Sequence, residues 1–311
     1  MTASTLATGG ASLSASVLAH LDDLELMARI VIEGTRTGGN RSPFHGFTTE
    51  FHQHRPYRAG DDLKHLDWKL YARSDRLYTR QYRETTNLAV TLVVDPSASM
   101  AYPDQGVSKW QYAKIVAASL AYLVAEQGNT VGLSTLQGGS LMHLPARGGR
   151  PHLLALLARL DRLDTGGAFD APRAIAGVGR LLRRRGVVVL LSDCYDAEDE
   201  TRRELRHLVQ RGHDVAVLQL TSPEELALPF RGAVELEGLE DGTRRITDAT
   251  AIAAAYHDAV AAFHERWRSE AVRSGIDYAL LRTDVPPARA LRHYLRHRAL
   301  RAVSAQRPAS A

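Results

Sequence analysis

An aspartate followed by alternating serines ends the first strongly apolar segment of the chain. In Asp95-Pro96-Ser97-Ala98-Ser99 the carboxylate and both hydroxyls are hard oxygen donors, and their spacing lets the serines point the same way. A later segment, Leu190-Leu191-Ser192-Asp193, also ends an apolar run on an aspartate. Mg²⁺ suits an all-oxygen site of this kind, because it keeps several waters and accepts one or two protein carboxylates.

Both aspartates follow apolar runs that predict central strands. The runs cover residues 88–94 and 187–191 and suit parallel strands that are buried on both faces. Since ligands of open α/β sheets bind outside the carboxyl ends of the strands, we predict that Asp95, Ser97, Ser99 and Asp193 hold one divalent cation. The alternative is that the Asp95 turn only caps the helix that begins near Lys109, since Asp and Ser are favoured at caps.

The remaining pattern predicts an α/β fold with a doubly wound, mostly parallel, Rossmann-like sheet. Further strands are expected at residues 130–136, 140–144 (an edge strand), 214–220 and 278–282, with a hairpin at 234–246 that turns at Asp241-Gly242. Helices are expected at residues 17–33, 110–126, 152–163, 171–185, 200–211, 249–274 and 288–298. The alternation of strands and helices is what favours the parallel sheet.

Four segments follow from changes in composition along the chain. Residues 1–15 and 301–311 are small and polar and are predicted to be disordered. Residues 16–86 are predicted to form a smaller subdomain, with a helix followed by short strands and turns rich in aromatic and charged groups. Residues 87–300 are predicted to form the α/β domain, including the hairpin, strand and helices near its C-terminal end.

Composition narrows the classes of function. The chain has 311 residues, 44% of them hydrophobic and 24% charged, with a formal net charge of +4. Its single cysteine, Cys194, rules out an internal disulfide and any multi-cysteine metal site. No apolar run approaches the roughly 18 residues of a membrane span, and no signal peptide is apparent, so we predict a cytoplasmic protein.

The strand, the Asp95-x-Ser97-x-Ser99 turn and the later Ser192-Asp193 resemble the metal-ion-dependent adhesion site of a von Willebrand factor type A domain. The ordered motifs around it resemble, more specifically, a bacterial family of unknown function that carries such a domain and accompanies MoxR-type AAA+ ATPases. Those motifs are Glu50-Phe51, Arg55-x-Tyr57, Gly60-Asp61-Asp62, Leu66-Asp67-Trp68, Ala72-Arg73, Leu77, Tyr82-x-Glu84, Leu281-Arg282-Thr283-Asp284 and Leu291-x-x-Tyr294-Leu295-x-x-Arg298.

The resemblance implies a non-enzymatic protein-binding module. Its partners would be a MoxR-type AAA+ ATPase and a client protein, and the pair would act in chaperone-like maturation or assembly. In such sites the bound cation, Mg²⁺ or another divalent ion, engages an acidic side chain of the partner. The chain itself has no Gly-x-x-x-x-Gly-Lys-Ser/Thr loop, so ATP hydrolysis is assigned to the ATPase.

One position departs from the adhesion-site pattern. A threonine usually follows a Gly-Gly pair in the loop between the two acidic strands, whereas Gly166-Gly167 is followed here by Ala168, which offers no ligand oxygen. The open alternatives are that Thr165 or Asp170 substitutes, that a water fills the position, or that metal binding is weak or lost.

A second group of acids precedes the metal motif. Asp61, Asp62 and Asp67, beside Trp68, could form another acidic site or a catalytic pair. The favoured interpretation is structural, with these acids paired to nearby arginines that include Arg73, because ion-pair networks also resemble sites. The same five residues are the candidates for a partner surface.

Two other functions remain open on sequence alone. A haloacid-dehalogenase-like, Mg²⁺-dependent phosphatase would use Asp95 as nucleophile, but it needs an acid where Ser97 stands. Nucleic-acid binding through the arginine cluster at residues 183–185 lacks the interleaved aromatics expected for single strands. The pairs His52/His54 and His293/His297 have no third zinc ligand nearby in sequence.

Overall fold

The structure is a computed structural model that describes residues 23–36, 49–57, 66–84, 88–103 and 106–305. Its contacts divide the chain into two units, residues 44–88 and the remainder. The predicted disordered segment 1–15 and the acids Asp61 and Asp62 lie outside the described residues.

The described elements alternate in the order that the sequence predicts for an α/β protein. The strands are β1 (Thr49–Pro56), β2 (Tyr78–Glu84), β3 (Ala89–Val94), β4 (Thr130–Gln137), β5 (Ser140–Arg147), β6 (Val187–Ser192), β7 (Asp214–Thr221), β8 (Ala233–Glu237), β9 (Arg244–Asp248) and β10 (Asp277–Arg282). The helices are α1 (Leu24–Arg36), α2 (Trp68–Ser74), α3 (Lys109–Glu126), α4 (Arg150–Asp161), α5 (Ala171–Leu181), α6 (Glu198–Gln210), α7 (Pro223–Ala227), α8 (Ala249–Arg273) and α9 (Pro287–Ala305). A turn of 3₁₀-helix covers Ala98–Ala101.

The smaller unit is a two-stranded sheet with one short helix. β1 and β2 pair antiparallel, and α2 lies between them in sequence. Asp67 begins α2, because its Oδ1 accepts a hydrogen bond from the Leu70 amide at 3.0 Å. The sequence predicted only strands and turns here, so the helix is a correction; at seven residues it is too short for periodicity to reveal.

The larger unit confirms the predicted doubly wound, mostly parallel sheet. Its six strands run in the order β10-β7-β6-β3-β4-β5, and every neighbouring pair is parallel except β4 with β5. β3 and β6 are adjacent, with Val94 opposite Leu191, so the residues that follow both strands emerge at the same edge. The predicted hairpin is confirmed as β8 and β9, with Gly242 at a φ of +66° in the turn.

Burial explains why these segments form strands and flanking helices. Every residue of β6 and all but the first of β3 are buried, as expected for central parallel strands. Ile175, Leu205 and Trp267 bring α5, α6 and α8 into one apolar core with the sheet. None of the described helices is long and apolar enough to cross a bilayer.

Three predicted boundaries differ from the structure. α1 belongs with the larger unit rather than with residues 16–86, because its apolar face packs on α3 and α9. α9 continues to Ala305, into the segment predicted as a disordered tail. α5 ends at Leu181, so the arginines at 183–185 lie in the loop before Gly186 and not in a last helical turn.

Candidate metal centre

Asp95 lies where β3 leaves the sheet and is held by its neighbour strand. Its amide donates to the Leu191 carbonyl at 3.0 Å, and its Oδ2 accepts a hydrogen bond of 2.5 Å from the Ser192 hydroxyl. The side chain is buried, with 3% of the residue exposed. Asp95 therefore sits in a fixed orientation at the carboxyl edge of the sheet.

The two serines of the turn present their hydroxyls to one another. The Ser97 amide donates to Asp95 Oδ1 at 2.8 Å, and the Ser97 and Ser99 Oγ atoms are 3.0 Å apart. The capping alternative for this turn is wrong, because Ser108 caps α3 by accepting from the Gln111 amide at 3.1 Å. Ser97 makes no capping hydrogen bond to the 3₁₀ turn either.

Asp193 ends β6 close enough to Asp95 for the two carboxylates to repel. Burial first, and then the Asp193 charge, raise the pKa of Asp95 to about 7. The Gln219 side chain donates to the Asp193 carbonyl at 2.8 Å, which fixes the backbone there. The structure thus places Asp95, Ser97 and Ser99 in one hydrogen-bonded turn, with Asp193 near enough to interact electrostatically with Asp95.

Lys109 is the charged partner that the sequence did not reveal. Its ammonium is fully buried, donates to Asp193 Oδ2 at 2.7 Å and also donates to Glu225 Oε1. Burial lowers the pKa of Lys109, but Asp193 and Glu225 outweigh it, so the pKa lies above its usual value. One oxygen of Asp193 is therefore matched to a cation; Oδ1, which accepts a 3.4 Å bond from the Tyr195 amide, remains for a ligand.

The Gly166-Gly167 loop lies directly against the Asp95 turn. The Gly166 amide donates to the Pro96 carbonyl at 2.9 Å, and the Ala98 amide donates to the Gly167 carbonyl at 2.9 Å. Ala168 is exposed and Thr165 is half-buried. Asp170, the other proposed substitute, is exposed and instead caps α5 through a 2.9 Å bond from the Arg173 amide to its Oδ1.

Glu240, at the tip of the β8–β9 hairpin, also reaches this region. Burial and a hydrogen bond with Asp196 raise its pKa to about 8, while a hydrogen bond with Ser99 opposes the rise. The sequence located the Asp241-Gly242 turn but carried no signal for where the hairpin tip would fold. Lys109 and Glu225 were missed for the same reason, since the contacts of Lys109 with Asp193 and with Glu225 span 84 and 116 residues.

The other residues proposed from sequence as site candidates are a helix cap or exposed surface residues. Asp67 caps α2, while Trp68 and Arg73 are exposed on that helix. His293 and His297 are exposed on α9. Within the described ranges, no group of three or more His, Cys, Asp or Glu side chains is placed to hold a metal ion.

The donor set at the strand ends fits a hard divalent cation. Asp95, Asp193 and the two serine hydroxyls supply oxygen only, and an ion such as Mg²⁺ completes its shell with water. The pKa of Asp95 gives the same indication, because a carboxylate held beside a second carboxylate in a buried site favours either a proton or a cation. The residues that would hold the ion are therefore Asp95, Ser97 and Ser99 together with Asp193 through its Oδ1.

The chain is similar in sequence to proteins of a known family. Residues 53–266 match the family described as "Protein of unknown function DUF58". The uncharacterized protein Rv1480 of Mycobacterium tuberculosis is 32% identical over 230 residues, which cover 73% of this chain and 72% of that protein.

Solved structures resemble the fold at low sequence identity. Conserved hypothetical protein BatB from Bacteroides thetaiotaomicron aligns with 68% of this chain and 99% of its own at 15% identity, with a TM-score of 0.44. The SpRpn10 VWA domain aligns with 66% of this chain and 93% of its own at 12% identity, with a TM-score of 0.38.

Proposed function

Since the chain belongs to the DUF58 family of proteins of unknown function, we propose that it is a non-enzymatic, von Willebrand factor type A-like module that binds a partner protein through a divalent cation. The cation site consists of Asp95, Ser97, Ser99 and Asp193. Mg²⁺ is the ion that this oxygen set favours.

One observation carries the proposal: two buried aspartates directly follow the adjacent parallel strands β3 and β6, with two serine hydroxyls 3.0 Å apart in the turn after β3. Ser192 and the Ser97 amide hold Asp95 from two sides, so the carboxylate cannot swing away. A preorganised oxygen cluster of this kind loses little conformational entropy when it takes up an ion.

A bound cation would supply an electrophilic position at which a carboxylate of the partner completes the coordination. Lys109 limits the charge that this position must balance, because it already neutralises one oxygen of Asp193 and part of Glu225. We infer that the ion keeps enough residual positive charge to attract an acidic side chain from outside.

The partner system is assigned from the sequence resemblance. Its members are a MoxR-type AAA+ ATPase and a client protein, and together with this chain they act in chaperone-like maturation or assembly in the cytoplasm. This chain contributes recognition and the ATPase contributes the hydrolysis, in keeping with the missing phosphate-binding loop.

A capture experiment with a chelator tests the proposal. Tagged wild-type protein, Asp95→Ala and the control Asp258→Ala, an exposed aspartate on α8, are used to recover partners from native lysate with Mg²⁺ or with EDTA. We expect an AAA+ ATPase with wild type and Asp258→Ala in Mg²⁺ only. Equal recovery by Asp95→Ala, or recovery that ignores EDTA, would contradict the metal-dependent role.

The phosphatase alternative is tested on the same proteins. Such an enzyme needs a general acid two residues after Asp95, and the Ser97 hydroxyl there hydrogen-bonds with Ser99 and is not acidic near neutral pH. We expect no turnover of p-nitrophenyl phosphate with Mg²⁺. Turnover that Asp95→Asn abolishes would replace the binding-module proposal with the enzyme.

A further inference from the structure

β10 is an edge strand of the larger sheet, and its outer side lines a groove. On its inner side all six of its residues pair in parallel with β7; in the described part of the chain no strand pairs with the outer side. We propose that an extended, acidic segment of a partner protein binds along β10 and adds a strand to this edge. The proposal is independent of the metal site.

The backbone of β10 supplies the first half of the recognition. In a strand, successive residues direct their N–H and C=O groups to opposite sides, so about half of those of β10 point away from β7. Unpaired groups along a sheet edge are a template for another extended chain. Peptides that bind in this way gain affinity from main-chain hydrogen bonds and specificity from the neighbouring side chains.

The charged side chains of the groove beside β10 supply the second part of the recognition. It encloses about 690 Å³ and is lined by residues of α8, β10, α9 and the β10–α9 loop. Six arginines and one aspartate line it: Arg268, Arg282, Arg289, Arg292, Arg296, Arg298 and Asp277. A strand laid here would place its side chains beside more arginines than carboxylates, which favours Asp and Glu.

The arginines of the groove differ in whether the fold already neutralises them. Arg298 is buried and paired with Asp214 and Asp277. Arg268 and Arg282 are also paired, with Glu265 and Asp284. Arg289 and Arg296 are exposed on α9, and neither forms an ion pair with another described residue. These two cations are therefore available to carboxylates of a bound segment.

The groove favours a peptide over a nucleic acid. Single-stranded nucleic acids are held by aromatic rings that stack on bases. Of the two tyrosines of the lining, Tyr294 is buried and Tyr278 is half-buried with its hydroxyl bonded to Gln219 Oε1 at 2.6 Å, so neither presents a fully exposed ring for stacking. Instead Val272 and Leu280 expose apolar surface, which suits a segment that alternates acidic and apolar residues.

Peptide binding with charge-reversed variants tests the electrostatic half. The probe is a fluorescent peptide of about eight residues that alternates Glu and Val, and its anisotropy is followed with the full chain in EDTA. Arg289→Glu/Arg296→Glu is expected to weaken binding about tenfold or more, whereas Arg183→Glu/Arg184→Glu, with the same change in net charge on an exposed loop, is expected to leave it nearly unchanged. Equal losses in the two variants would overturn the proposal.

A backbone-modified peptide tests the strand-pairing half. The same sequence N-methylated on alternate residues keeps its charge but lacks N–H donors along one edge, and we expect it to bind far more weakly. Hydrogen exchange should show new protection of β10 amides with the unmodified peptide. Equal binding of the N-methylated peptide, equal binding of a single-stranded oligonucleotide, or unchanged exchange in β10 would each overturn strand addition. Since binding is measured in EDTA, failure here leaves the metal-dependent proposal untouched.

Discussion

Two regions of the same sheet treat charge in opposite ways. At the ends of β3 and β6, the buried acids Asp95 and Asp193 accept hydrogen bonds from Ser192 and Lys109, and the Lys109 ammonium compensates only part of their negative charge. Along β10, exposed cations such as Arg289 and Arg296 stand without a described counter-ion. A buried charge must be compensated at close range by another group or by an ion, whereas water stabilises an exposed charge that has no partner. The strand ends thus suit a small ion, and the β10 groove suits a macromolecule.

The largest effect on stability is expected at Lys109, whose buried ammonium compensates two carboxylates. Lys109→Met removes the buried cation and leaves Asp193 and Glu225 uncompensated, so we expect a loss of about 3 to 5 kcal/mol in the free energy of unfolding. Urea denaturation with chelator measures it. Mg²⁺ should then stabilise Lys109→Met more than wild type, because the ammonium no longer competes for Asp193.

Lys114→Met is the matched control for that variant. Lys114 lies on the same helix, is only partly buried and makes a long 3.4 Å bond to the Asp161 carbonyl, so its loss should cost less than about 1 kcal/mol. If both variants lost the same small amount, Lys109 would not be the compensating charge of the strand ends.

The sequence predicted the parts of the candidate metal centre that depend on local pattern. Apolar runs located β3 and β6, and parallel strands bring their carboxyl ends together, so Asp95 and Asp193 could be paired without coordinates. Lys109, Glu225 and Glu240 could not, since each joins the region by a contact over a long separation in sequence. No periodicity encodes such a contact.

The same limit explains the boundaries that were wrong. α1 has a clear apolar face, but the sequence does not say which unit will cover it, and it packs on α3 and α9. The β10 groove could not be predicted either, because the sequence does not show that β10 is an edge strand beside the arginines of α8 and α9. Only the order β10-β7 in the sheet turns them into the wall of a groove.

The pH dependence of stability tests the raised pKa of Asp95. Asp95 has a pKa of about 7 in the folded protein and an ordinary, lower pKa when unfolded, so the folded state binds more protons between about pH 4 and 7. In EDTA, its contribution to stability is complete below pH 4 and is lost as the pH rises through 7. Between pH 5 and 8 the loss from this one group is about 2 to 3 kcal/mol.

Asp95→Asn isolates that contribution from the rest of the protein. The variant does not titrate here, so its unfolding free energy should improve relative to wild type by the same amount between pH 5 and 8 in EDTA, as measured by denaturation in urea. Saturating Mg²⁺ should reverse the trend for wild type alone. Parallel pH profiles for the two proteins would mean that neither burial nor the Asp193 charge raises the pKa of Asp95.

The smallest effect on stability is expected for the exposed arginines of the β10 groove. Arg289→Gln/Arg296→Gln removes two exposed cations that no described carboxylate matches, so the unfolding free energy should change by less than about 0.5 kcal/mol. At low ionic strength the sign should be a slight gain, since repulsion among the groove arginines is relieved, and added salt should erase it. Arg298→Gln, in the same groove but buried against Asp214 and Asp277, should instead cost several times more. A loss above about 1 kcal/mol in the double variant would show that Arg289 and Arg296 stabilise the fold itself, and the groove would then be matched internally like the strand ends rather than open to an acidic partner.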